Sequence, residues 1–303
     1  MAPGGVKLPG KVWLVLKLTL SALLLLLLLR RQSLSELRAA WQQAAAGPAL
    51  LAVALLPAFI GLRALRWKFL LRVGGLEVRF FDALRSYLTA LPFAVLTPAR
   101  AGEMTRAFFV PGGDRPQLIG LLVAEKLADA GAVALMLLGG ATLILGRTAQ
   151  LLYTAMVLLM LLLMLRQTAA PRFAPRLDGS FLRRMIDAVR LFDRTQALFL
   201  VALTLAGYSL LLCQYFLLLR AHQPVGWPAV LVVYPAVLFA NLFPFTLGGL
   251  GAREWAAAVL APEFGIAASA AINATFGIYL LDLLLPALAG GLLVLSLRAR
   301  PVQ

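Results

Sequence analysis

Two short stretches of this 303-residue chain mix arginine and glutamate with glycine. The first carries Arg100, Gly102, Glu103 and Arg106 just after Pro98; the second carries Gly248, Gly249, Gly251, Arg253 and Glu254. A helix that starts at such a glycine offers free backbone amides and the positive end of its dipole, and flanking arginines suit a phosphate there. Gly102 permits close backbone approach, while Glu103 in the first turn is favoured by the dipole and can hold an arginine. The plain alternative is a tight turn with its charges in water. For the second stretch, the alternative is glycines that let helices pack closely. A third group, Glu125, Lys126 and Asp129, sets two carboxylates one helical turn apart beside one ammonium. It reads as a structural salt-bridge cluster, or as a headgroup site or charge relay whose acids hold a proton. Asp282 stands alone in an apolar run with Pro286 one turn on, and Arg85 either reaches a headgroup or snorkels.

Other chemistry is excluded early. One cysteine, Cys213, makes no internal disulfide, and one histidine, His222, leaves no metal site or histidine-based triad. There is no Walker motif, Rossmann fingerprint or nucleophile elbow. The expectation is a protein that is not an enzyme and uses no cofactor and no metal.

The surrounding composition says where these groups must sit. With 62% hydrophobic and 14% charged residues the chain is an integral membrane protein. Its formal charge of +15 reads as topology signals and anionic-lipid contacts, not as nucleic-acid binding. Apolar runs at 12–29, 44–62, 118–145, 151–165, 197–219 and 266–297 predict six spanning helices. Two more, 80–110 and 228–260, are broken at the glycine motifs, and the arm after each break is too short to cross alone. If both are re-entrant, 19 basic residues lie inside against 6 outside, whereas full crossings invert that bias. Both termini are therefore expected in the cytoplasm. Tryptophans 13, 41, 67, 227 and 255 read as interfacial anchors, and 178–194 as an amphipathic helix on anionic headgroups.

The order span, span, broken hairpin, span then occurs twice, with starts at 44, 80 and 118 matched near 197, 228 and 266. An odd number of crossings per half inverts the second half, as in many transporters. The predicted fold is an all-α integral membrane protein of two inverted repeats, 1–149 and 150–303, each with three spanning helices and one broken re-entrant hairpin.

Four motifs carry a family resemblance: WKFLL at Trp67 to Leu71, LTPARAGEMTR at Leu96 to Arg106, AEKLAD at Ala124 to Asp129, and GGLGAREW at Gly248 to Trp255. Together they resemble the transmembrane region of the lysylphosphatidylglycerol synthase family, which includes the flippase half of the multiple peptide resistance factors and stand-alone flippase-like proteins. Lys126 stands where that pattern usually has arginine. The soluble aminoacyl-transferring domain of the bifunctional members does not follow here, so the resemblance implies moving a lipid rather than making one. The expected function is a lipid translocase in the bacterial inner membrane, passing an anionic phospholipid or isoprenoid-linked headgroup through a polar cavity between the repeats. A secondary transporter of a small anionic solute, or a non-transporting partner of a membrane lipid- or glycan-modifying enzyme, are the alternatives. Membrane lipids are the expected partners, with a homo-oligomer or such an enzyme as further ones.

Overall fold

A computed structural model describes residues 34–97, 100–166, 181–240 and 250–298, and these are helical with no strand among them. The predicted run 12–29 lies outside the described residues, as do Pro98, Gly248 and Gly249. A short α1 (Leu34–Gln42) leads to α2 (Ala46–Ala54) and α3 (Leu56–Val73), which form one bent helix because Pro57 at the start of α3 cannot donate back into α2. Helix α4 (Phe80–Leu96) is followed by a 3-10 helix, Ala101–Phe108. Helix α5 (Arg115–Arg166) breaks at Gly146, whose φ of 69° and ψ of −153° no helix contains. Then come α6 (Phe181–Val189), α7 (Arg194–His222), α8 (Trp227–Ala240) and α9 (Ala252–Leu260), with a 3-10 turn at Ala261–Phe264. The chain finishes in α10 (Ala268–Tyr279), a π-helical turn at Leu280–Leu284 and α11 (Leu285–Arg298). That turn has a local cause: Pro286 has no N–H for the carbonyl of Asp282, four residues back.

Among the described residues, 4 helices are long and apolar enough to cross a membrane: Ala46–Val73, Arg115–Ile144, Arg194–His222 and Ala268–Leu295. They match four of the six predicted runs. The first continues to Val73 instead of stopping at Leu62, so four basic residues expected in the following loop, Arg63, Arg66, Lys68 and Arg72, are on that helix. The stretch 151–165 is helical but is not among those four.

Two cores form. Trp67, Leu70 and Leu71 of α3 pack on Leu118, Leu121 and Leu122 of α5; Tyr215 and Leu219 of α7 pack on Val233 and Tyr234 of α8 and Ala271 of α10. A third cluster joins them, where Tyr87 and Leu91 of α4 meet Tyr279 and Leu283. Two glycines make the halves interlock. A Cβ on Gly290 of α11 would lie 1.9 Å from the Leu88 carbonyl oxygen of α4, and one on Gly140 of α5 would lie 2.4 Å from the Leu231 carbonyl oxygen of α8. Helix α6 docks on α5 as well as presenting a basic face: its Met185 backbone would be 2.3 Å from a Cβ at Gly120, and Arg184 reaches Asp114 at 3.0 Å.

Candidate functional site

The first-half charges converge. Arg66 donates to Asp129 Oδ1 at 2.7 Å and Thr204 Oγ1 at 3.0 Å, and its other terminal nitrogen pairs with Glu125. The second oxygen of Glu125 pairs with Arg106, whose guanidinium carbon lies 4.6 Å from the centroid of the Trp67 ring. Arg63 approaches Asp129 at 3.6 Å, and Lys126 pairs with Glu103 while lying 3.8 Å from Asp129. Arg66, Arg106, Glu125 and Asp129 are all buried. Two acids beside one ammonium, as the sequence suggested, are thus three acids among four cations. Every oxygen of Glu125 and Asp129 faces a guanidinium.

This arrangement corrects several expectations. Arg106 is a counterion of Glu125 through Nη2, while its buried Nε and Nη1 have no partner. Trp67 is no interfacial anchor: it is fully buried beneath Arg106 and donates its indole N–H to Ser86 at 2.8 Å. The segment after Arg100 is 3-10 rather than α, and its leading amides are not free. The Gly102 N–H donates to Thr97 Oγ1 at 2.6 Å and the Glu103 N–H to the Arg100 carbonyl at 2.9 Å. Gly102 is required for packing, because a Cβ there would stand 2.2 Å from the Phe93 carbonyl. Glu103 lies outside the spanning helices; burial acts to raise its carboxyl, but Lys126 and then Arg100 outweigh that and hold it at about 2. Arg85 is apart from the cluster, exposed, on a cleft of ≈ 210 Å³ with Asp82, Thr89 and Pro111.

Arg100 faces elsewhere. It is the sole described non-glycine residue with positive φ, at 55°, a backbone state that disfavours an arginine, and its buried Nε has no partner. Arg100, Arg63 and Arg253 lie in the neighbourhood of Asp282, and none of them hydrogen-bonds its carboxylate. Asp282 sits on the π-helical turn, 6% exposed, and neither carboxylate oxygen accepts a hydrogen bond. The Gln214 side chain lies beside it but directs its amide donor to the Ala52 carbonyl at 3.2 Å. Arg253 is 4% exposed and rests on the ring of Tyr279 at 5.1 Å, one turn before Asp282, with Nε and Nη2 unpartnered. Gly251, at φ 88°, turns the chain into α9, and its N–H donates to Glu254 Oε2 at 2.7 Å. The other Glu254 oxygen and the Tyr234 hydroxyl are buried and unpartnered.

The sequence reading named Arg100, Arg253, Glu254 and Asp282 separately, and the fold gathers them. It passed over Arg63, Arg66, Gln214 and Tyr234. The signal for the two arginines is their spacing of three at the end of an apolar run, which puts both on one face; for Gln214, a lone amide in a span.

The family description Lysylphosphatidylglycerol synthase TM region matches residues 14–290. No curated protein matches the chain.

Proposed function

The chain belongs to the family of the lysylphosphatidylglycerol synthase transmembrane region, and on that premise we propose that it is a lipid translocase and not an enzyme. It moves a phosphate-bearing lipid headgroup past Arg100, Arg253 and Asp282 while the acyl chains stay in the bilayer. The family assignment supports a role tied to membrane lipids; the observation that carries the finer reading is the pair Arg253 and Asp282. Charged groups inside a membrane protein are costly unless paired, yet each of these two is buried with unpartnered atoms, and Arg253 rests on Tyr279, one turn from Asp282. Such a pair suits a ligand that supplies the missing bonds in passing.

In this reading 1–149 and 150–303 are inverted repeats, and the segments broken near Gly102 and Gly251 are re-entrant hairpins. The reciprocal contacts support it: α4 of one broken segment takes Gly290 of the other half's last helix, and α8 takes Gly140 of the first half's long helix. Both termini lie in the cytoplasm, and the membrane is the bacterial inner membrane. The Glu125 cluster braces the first hairpin against α3 and α5, so that Arg100 is carried at a fixed place.

Reconstitution into liposomes with fluorescent lipids of different headgroups tests this. Outward- or inward-facing label is read by a membrane-impermeant quencher. Headgroup movement that depends on the protein and is lost in Arg253→Gln is the expected result. Uptake of a small soluble anion with no lipid movement would replace the translocase by a solute transporter.

A further inference from the structure

The unpartnered atoms around Asp282 are of both kinds, and this bears on the headgroup. On the donor side stand Arg253 Nε and Nη2 and Arg100 Nε; on the acceptor side stand both oxygens of Asp282, one of Glu254 and the amide oxygen of Gln214. The Tyr234 hydroxyl, which shares the fields of Asp282 and Arg253, can act as either. A ligand that is only an anion satisfies the guanidiniums but brings no donor to the Asp282 oxygens. A phosphate joined to a cation without N–H groups leaves the carboxylate oxygens as bare as before. Only a ligand carrying acceptors and donors at once completes both sides.

We propose that Asp282 selects the headgroup: the site takes a phosphodiester that bears its own N–H or O–H donors, with the phosphate against Arg253 and Arg100 and the donors on the Asp282 carboxylate. The inference rests on the translocase reading and deepens it by naming the ligand chemistry. A buried site built to accept hydrogen bonds rejects an analogue lacking the donors, because the carboxylate is then desolvated and unpaired. The π-helical turn aids this by widening the helix at Asp282 itself, next to α3 and α4.

The decisive series is phosphatidylethanolamine, its N-methyl and N,N-dimethyl forms, and phosphatidylcholine, which share a phosphate and a cationic nitrogen and lose N–H donors stepwise. Each is offered in phosphatidylglycerol-containing liposomes to the full chain and its variants, with binding in detergent read in parallel by native mass spectrometry. The expected result is movement of phosphatidylethanolamine about tenfold or more faster than phosphatidylcholine, the step falling where the last N–H is lost. In Asp282→Leu, which removes the acceptors without adding polarity, that ratio falls towards one. Equal movement of the two lipids by the unaltered protein overturns the proposal, and so does a ratio retained in Asp282→Leu, which assigns the discrimination to headgroup size. If no lipid moves but the donor-dependent preference persists in binding, the translocase reading fails and the selection by Asp282 stands.

Discussion

The carboxylates of Glu125 and Asp282 are both buried, and their surroundings differ. Each oxygen of Glu125 is held by a different arginine, from α3 and from the 3-10 segment, whereas neither oxygen of Asp282 has a partner. Buried charge with its counterions in place is architecture: removing one member strands the others. On the proposed function, the carboxylate left without hydrogen bonds is the one that meets a ligand, a difference that residue type alone does not reveal.

The largest test of that division is stability. Glu125→Gln leaves Arg66 and Arg106 buried without their shared carboxylate and should cost about 3–5 kcal/mol, seen as a lower thermal midpoint in detergent or failure to accumulate. Asp282→Leu should leave the midpoint unchanged or raise it, because a desolvated, unpaired carboxylate is removed. A midpoint that falls as far in Asp282→Leu as in Glu125→Gln, or one that does not fall in Glu125→Gln, would erase the distinction. Next in size are the two glycines at the interlock between halves. Gly140→Ala and Gly290→Ala each push a methyl into a facing backbone carbonyl and should destabilise by about 1–3 kcal/mol, by similar amounts if the halves are symmetric. A loss confined to one of them means that the halves are held differently.

Arg100→Gly separates backbone from side chain at one position. Glycine is at ease at a φ of 55°, so stability should hold or rise by up to about 1 kcal/mol. Transport should nevertheless fall by about tenfold, through loss of one charge-assisted contact to phosphate. Transport that survives in Arg100→Gly would confine the site to Arg253. The smallest effect belongs to Glu103. Its carboxyl titrates lower in the fold than its ordinary value of 4.5, at about 2. The Glu103–Lys126 pair is therefore worth its full amount above about pH 4.5 and is lost as pH falls towards 2. With the Lys126 side chain 34% exposed, that amount is no more than about 1 kcal/mol. Midpoints of the unaltered protein and Glu103→Gln, measured from pH 7 downward, should differ slightly at first and converge below about pH 4. A gap that stays constant to pH 3 would show that Glu103 acts by packing.

The proton relay expected at Glu125 and Asp129 illustrates what one dimension hides. Counting along the helix finds two acids and Lys126, because those three are neighbours in sequence. Arg66 and Arg106 come from 59 and 19 residues away, and only the packing of α3 and the 3-10 segment on α5 turns a suspected shared proton into a set of ion pairs. The same limit explains Gly102. Its need to be small was legible, but whether smallness serves a ligand or the Phe93 carbonyl depends on which backbone folds against it.

Composition and hydropathy by themselves determined that the chain lives in a membrane, because apolar runs of that length have no other solvent, and that it is helical, because lipid satisfies no backbone amide. Four of the spans, the two interrupted segments and most charged residues of consequence follow from the same physics read along the chain. The division of those charges was decided by tertiary structure alone. A side chain's hydrogen-bond partners are set by helices packing across tens of residues. Glu125, bound on both oxygens, and Asp282, bound on neither, therefore look alike until the helices are in place.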